Sequence, residues 1–592
     1  MFKSLSIVIL ILASAGKVFG AEGSTEPLND FLLGEGPAFF RYESNRLSTN
    51  WMAAVETALP PSDFKNGTPD FQQITNLLCR ESRRGNNAAL GLWGMAVIAQ
   101  SRSLAESDTG LEMLQTSAEN GYVLAMANLG LLYERGGYVV TNYDEAFHWF
   151  GLAATNGNDY AELQLGACYH YGLGTAPDLA MAANCYLLAA EKTNYVAMKS
   201  YGYMLLNGFG VNKDLEAAKY WLTRAAKEGG NRRAMYDLGV LYQMNFPDTN
   251  AMAEAFQWYQ QSAEQGDALG CYQLAACYEN GWGTSTNGDS HRLWLYKAAM
   301  LGCTDAQYWM GVAYRTGDGV PSDTKTSLAW YWKAAVKNHP EANYDLAVYY
   351  LRNMTNDDSL RVARRCMLRA AEGGHCDAQF RTALNYWRGE VVPQNCDLGN
   401  QWMATAATNG WAEAEFALFQ IYYNGMRPAP DCDPYPQDKT EAFKWLRRAA
   451  DHGSLPAQTT LADKLIPGPR TEMDPDVAEA EKLLRNAAEH GYAPAQNDLG
   501  YAILQGAFGS TDWVEAAMWF QIAESHWDNP KTQSVVKANL HNAQSRLTPD
   551  QLTQVQQRVD NFQALPVPER NPLVKNWNKN PAYQQEDGQF GH

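Results

Sequence analysis

The sequence is poor in the features that announce an enzyme or a membrane protein. Its 592 residues contain no CxxC pair, no HExxH, no GxSxG and no Walker A loop. Zinc-ribbon, thioredoxin-type, metalloprotease, serine-hydrolase and P-loop chemistry therefore lack their usual residues. After the first twenty residues no apolar run reaches the roughly 20 residues that a spanning helix needs. Cations are scarce, with 47 Lys and Arg against 65 Asp and Glu, a formal charge of −18. Neutralising phosphates takes clustered Lys and Arg, so this balance excludes a dedicated nucleic-acid binder. Charged residues make up only 19%, below the about 25% of an average globular chain. Aromatic residues are plentiful instead, at 12%.

The N-terminus reads as a secretory leader. Lys3 precedes an uncharged, mostly apolar run from Leu5 to Ala15, and Val18-Phe19-Gly20 before Ala21 offers a cleavage site. The run is too short to span a bilayer and no lipoprotein cysteine comes after it. Residues 1–20 are accordingly expected to be removed and the mature chain exported, with residues 21–52 as a lead-in. Ten cysteines suit an oxidising compartment.

A period of 36 residues organises most of the remaining chain. Alignment on the small residue that opens each unit gives Ala53, Ala89, Ala125, Ala161, Ala197, Ala234, Gly270, Ala306, Ala342, Ala378, Ala414, Ala457 and Ala495. Nine of the twelve intervals are 36 residues; the others are 37, 43 and 38. Such regularity predicts a stacked array rather than four separate domains.

Each unit reads as helix, turn, helix. Its first segment carries Leu-Gly at the fifth and sixth places, as in Leu129-Gly130 and Leu238-Gly239. A Gly-x-Gly break such as Gly172-Leu173-Gly174 comes next. The second segment holds a Trp with an Ala pair four places later, as in Trp149 and Ala153-Ala154, and a Gly such as Gly157 closes the unit. Apolar residues at i, i+3, i+4 and i+7 put one stripe on each helix. The sixth-place Gly and the Ala pair let the paired helices approach closely, and the closing Gly suits a left-handed C-cap. Eight units carry Trp at its place; Leu77, Met113, Cys185, Cys366 and Leu483 stand there in the others. A position that is always apolar or thiol predicts a shared packing site.

The pattern A-x-x-x-L-G-x-x-Y, then G-x-G, then A-x-x-W-x-x-x-A-A-x-x-G resembles the Sel1-like repeat, a cousin of the tetratricopeptide repeat. The resemblance implies an all-α fold, a right-handed α/α superhelix of about 12–13 helix-turn-helix units over residues 53–530, with 53–88 degenerate. It also implies a scaffold or adaptor that binds a protein or peptide. Some exported relatives assist envelope polysaccharide assembly, which leaves a glycan-binding module as an alternative. A cysteine-rich branch has been linked to penicillin binding or β-lactamase activity, but its regular cysteine pairs are missing here. No metal and no cofactor is implied, and the expected location is the periplasm or exterior of a bacterium.

Departures from the period mark individuality. The unit opening at Ala414 is seven residues longer than the norm, through the Pro-rich run 427–436 that contains Cys432. Four prolines there forbid a regular helix, and the run is expected to project as a loop. Residues 531–562 leave the period and suit capping helices, with Thr548 as N-cap and Pro549 in the first turn. Residues 563–592 read as a flexible tail. Cys168 and Cys185 fall on facing helices of one hairpin, a placement compatible with a disulfide. His452 and His490 recur just before a closing Gly, a favourable place for a positive side chain.

One surface is a candidate binding face. In a stacked array the first helices line the concave side. Their third place reads Tyr236, Tyr272, Tyr308, Tyr344, Phe380 and Phe416 in six successive units, with Arg315, Trp387, Arg388 and other polar or aromatic residues nearby. Tyr, Trp and Arg dominate interface energies, so the ladder suits a peptide or an extended glycan. The other reading, packing between repeats, also fits a regular aromatic spacing.

Overall fold

The structure, a computed structural model, describes residues 54–60, 71–100, 104–136, 139–245, 249–353, 357–389, 392–468, 472–526 and 530–566. The expected leader, the lead-in 21–52 and the expected tail beyond residue 566 lie outside the described residues. Among the described residues there is no strand; helices succeed one another in hairpins from Phe71 to Asp560. The architecture is an all-α tandem array of helix-turn-helix units. It divides into two compact units, one ending at Met310 and the other beginning at Gly311.

Short polar residues start the helices. Asn142, Asp178, Asp214, Asn287, Asp323, Asn395, Asp438 and Asp476 each cap a second helix, their side chains accepting backbone N–H bonds of its first turn. Such caps are each worth about 1 kcal/mol. The closing glycines are left-handed, Gly157 at φ 83° and Gly410 at φ 82°. The Gly-x-Gly break has a further cause. A Cβ on Gly174 would lie 2.1 Å from the Tyr143 carbonyl oxygen, at the start of the preceding second helix. Gly210 approaches the Leu179 carbonyl equally closely. The second glycine is thus where one repeat's turn meets its neighbour's backbone.

The sixth-place glycine makes room for a ring. A Cβ on Gly239 would stand 2.4 Å from Tyr259, and one on Gly166 2.7 Å from Tyr186. That ring belongs to the residue after the Trp place. Phe150, Tyr186, Tyr259, Tyr331 and Phe520 are all buried there. The Trp place itself is shallower than the sequence pattern suggests. Trp149, Trp258, Trp330 and Trp519 are buried, whereas Trp221, Trp294, Trp402 and Trp445 are half-buried. A cation three residues on lies over several of these rings, Lys297 3.8 Å from Trp294 and Lys333 3.7 Å from Trp330. The deepest core residue is one place later than the most conspicuous one.

The array's end is sealed by the helices Pro530–Gln544 and Pro549–Asp560. Thr548 and Gln551 form a reciprocal capping box at the start of the last helix. Val536, Leu540, Ala543 and Val555 are buried, and Phe562 packs edge-on against Trp519. The chain stays attached as far as Leu565, whose N–H donates to the Glu489 carbonyl at 2.8 Å.

Two expectations are corrected. Cys168 and Cys185 are free, buried thiols; burial pushes the Cys168 thiol up to about 12 and that of Cys185 up to about 11. The disulfide joins Cys396, at the start of a second helix, to Cys432 in the Pro-rich run, 36 residues on. That run does not project freely. The Cys432 side chain is buried, the Arg427 guanidinium donates to the Cys432 carbonyl at 3.2 Å, and Tyr435 packs edge-on against Tyr422. With a covalent tie and a ring contact, the insertion folds back on the array.

Candidate functional site

The third place of each first helix lies one turn before the sixth-place glycine. In the unit ending at Met310 it holds three half-buried tyrosines, Tyr236, Tyr272 and Tyr308. The Tyr236 ring lies 5.9 Å from Tyr259, with the Arg233 guanidinium over it at 5.1 Å. Burial pushes the Tyr236 phenol up to about 12 and raises that of Tyr272 as well. Tyr308 meets Trp309 edge-on at 5.3 Å. Nearby, the Tyr259 hydroxyl donates to Gln243 at 2.6 Å. All three rings are thus partly exposed, and those of Tyr236 and Tyr308 pack against neighbouring rings.

The unit beginning at Gly311 treats the same place differently. Tyr344 is fully buried, its hydroxyl donating to Asp377 and its ring stacked 4.2 Å from His375. Arg381 holds Asp377 at 3.0 Å. Burial lowers His375 to about 4, so the ring over Tyr344 is neutral at pH 7. Trp387 is buried too; its indole N–H donates to Asn400 at 3.0 Å, and its ring fills the space beside Gly399. Tyr344 and Trp387 are therefore packing residues and leave the candidate binding face. Phe380 and Phe416 remain half-buried, Phe416 stacked 5.6 Å from Phe419. Arg315 is half-buried and Arg388 exposed.

Sequence comparison bears on what such a face is for. The Sel1 repeat pattern matches eleven times, at residues 123–158, 159–194, 196–230, 232–267, 268–303, 304–339, 340–375, 376–411, 412–454, 468–492 and 493–525. The chain belongs to the Sel1-repeat family. Among curated Sel1-type relatives, chitin synthase regulatory factor 3 of Schizosaccharomyces pombe is 33% identical over 144 residues, 23% of this chain and 15% of that protein. The ERAD-associated E3 ubiquitin-protein ligase component HRD3B of Arabidopsis thaliana is 26% identical over 208 residues, 31% of this chain and 33% of that protein. Human protein sel-1 homolog 2 is 30% identical over 145 residues, 23% of this chain and 21% of that protein. The matched stretches thus span a third or less of these relatives. Among solved structures, c5321, a protective antigen of uropathogenic Escherichia coli with an SLR fold, is 26% identical at a TM-score of 0.47, covering 84% of this chain and 96% of that one.

The Sel1 array also contains a buried polar row, absent from the sequence-based expectations. At the second place of the first helix, the amide N–H₂ of Gln307, Asn343, Gln379, Gln458 and Gln496 donates to the second alanine carbonyl of the preceding Ala pair, at 3.0–3.3 Å. In two of these slots the amide oxygen also accepts from the next repeat, Gln379 from Asn409 at 2.9 Å and Gln458 from Asn486 at 2.8 Å. At Glu415 the same slot holds a fully buried carboxylate, met by His452 at 2.7 Å and Arg448 at 2.9 Å. Burial raises the Glu415 carboxyl even so. His452, expected at a helix end for its charge alone, is thus a partner in the slot of the preceding repeat. The signal was present: an amide or Glu directly after the opening alanine, interrupting an apolar stripe in register.

Proposed function

We propose that this chain is an exported, non-catalytic Sel1-repeat scaffold whose first-helix face binds a protein or peptide partner. The observation that carries the reading is the run Tyr236, Tyr272 and Tyr308, half-buried rings at the same place of three successive repeats. Rings pre-oriented by their neighbours lose little entropy on binding, and Tyr is a preferred hot-spot residue. Two of the relatives are named as a regulatory factor and as a component of a ligase, roles that act through other proteins. Buried charge in the array is engaged in contacts between repeats, as Glu415 is with Arg448 and His452, which favours a structural use for it. Export is supported by the leader-like N-terminus and by the Cys396–Cys432 disulfide, a bond that persists in oxidising compartments.

Crosslinking in an extracytoplasmic extract, with mass-spectrometric identification of the partner, tests the reading. Replacing Tyr236, Tyr272 and Tyr308 together with Ala in a folded variant is expected to weaken the captured complex at least tenfold, since one hot spot is worth about 2 kcal/mol. Undiminished capture by that variant would remove the aromatic face from the proposal.

A further inference from the structure

Near the Pro-rich insertion three helices aim donors at one carboxylate. Tyr423 ends the helix Ala412–Asn424, Lys439 starts the helix Lys439–Asp451, and Lys464 lies in the last turn of the helix Leu455–Leu465. The Lys439 ammonium donates to one Glu472 oxygen at 2.6 Å and the Lys464 ammonium to the other at 2.5 Å. The Tyr423 hydroxyl donates to the same oxygen as Lys464 and accepts from Lys464 at 3.0 Å. Both ammoniums also lie over the Tyr423 ring, at 5.1 and 4.9 Å. These bonds hold the Glu472 carboxyl down at about 2.

The two halves of this cluster are built differently. The donors stand on helices packed into the array, so their positions are set by the fold. The acceptor lies outside any helix, and its backbone N–H makes only a long 3.4 Å bond to the Lys464 carbonyl. The donor set is therefore preformed and its present ligand is the less firmly held part. Beside it Phe443 lies 6.0 Å from Tyr423, and the buried Phe419, 5.3 Å from Tyr423, backs Phe416. Phe416 and Phe443 are half-buried.

We propose that Lys439, Lys464 and Tyr423 form a carboxylate-recognition site for an acidic residue of a partner peptide, and that Glu472 fills it as an internal competitor. The neighbouring phenylalanine rings would take an apolar residue next to that acid. The site rests on the peptide-binding function proposed for the array and gives the chemistry of one contact.

The test is calorimetric titration of the full chain with acetyl-Ala-Glu-Phe-Ala-amide and with the same peptide carrying Gln for Glu. Glu472→Gln is expected to bind the Glu peptide about tenfold tighter than the unaltered chain, the factor for an internal competitor that fills the slot about nine-tenths of the time. Adding Lys439→Gln and Lys464→Gln should abolish the preference for Glu over Gln, and added salt should weaken it. Equal binding of the two peptides by Glu472→Gln, with melting unchanged, overturns the site. If Glu472→Gln itself melts early, Lys464→Gln decides: a preference for Glu that survives it also overturns the site. Neither outcome touches the aromatic face, which stands or falls on its own tyrosine variants.

Discussion

The two units share one repeat yet hold their helices together by different means. Up to Met310 the second helices expose apolar side chains, among them Leu152, Met181, Leu188, Tyr220, Leu293, Tyr296 and Met300. Beyond Gly311 the corresponding helices carry ion pairs from repeat to repeat, Arg447 with Glu479 and Arg485 with Glu515, each at 2.6 Å. The second-place slot shifts in the same direction. Met126, Met198, Met235 and Cys271 fill most of its places in the first unit, with Glu162 and Gln307 as polar exceptions, while Asn343, Gln379, Glu415, Gln458 and Gln496 fill it in the second. Cys271 still reaches the Ala263 carbonyl through sulfur, at 3.6 Å. The hairpin geometry is thus compatible with soft packing and with directed hydrogen bonds. Thioether packing adapts to irregular space; a buried amide row is satisfied in one register only.

The largest test of this contrast is chemical reduction. A 36-residue crosslink is worth about 3–4 kcal/mol in the chain-entropy picture. Reduction should therefore destabilise the second unit, while the described cysteines of the first are free already. Hydrogen exchange with and without a reductant should show faster exchange confined to helices around 396–451. Uniform acceleration in both units would break the comparison.

Matched substitutions in the slot come next. Gln458→Leu removes one bond to the Ala450 carbonyl and leaves the Asn486 amide without its acceptor, and should cost about 1–3 kcal/mol. Met198→Leu, in the same slot of the first unit, should cost under about 1.5 kcal/mol. Denaturant melts of the two variants give the difference, and equal losses would show that hydrogen bonding in the slot is immaterial.

Acid should act on the units with opposite sign. In the first, burial raises Asp237 from 3.8 to about 6. The folded state then takes up a proton that the unfolded chain lacks, so this group's penalty is relieved as pH falls from 7 towards 4. In the second, Glu472 is depressed to about 2, and its contribution is lost as pH falls from about 4.5 through 2. Local exchange rates between pH 7 and 4, compared with Asp237→Asn, should show a flatter profile in the first unit of that variant.

The smallest effect is expected at the surface. Arg485→Gln removes partly exposed ion pairs with Glu481 and Glu515 and should change stability by less than about 1 kcal/mol. Any loss should shrink at high salt. Leu188→Ser on the first unit's outer face should fall within about 0.5 kcal/mol.

The repeat was legible in the sequence because each hairpin contact recurs. Gly130, Gly166 and Gly239 all meet the same kind of ring, so one physical reason appears many times in register. The candidate face was less legible because its burial depends on what the next repeat contributes. Tyr308 and Tyr344 occupy equal places, yet Tyr344 is closed over by His375 and Asp377, at the junction with the next repeat. The disulfide was hidden for a related reason. Helical register pointed to Cys168 and Cys185, whereas Cys432 lies in an insertion that no period constrains. The amide row was hidden because Met and Gln fill one slot with similar volume and different bonds.

That disulfide also bears on force. A stack in which each repeat touches only its neighbours yields coil by coil when its ends are pulled. The chain between Cys396 and Cys432 cannot lengthen while the bond stands, which withholds 36 residues, about 120 Å of extended chain. While the bond stands, the insertion marks the stretch that holds its length after its neighbours have given way.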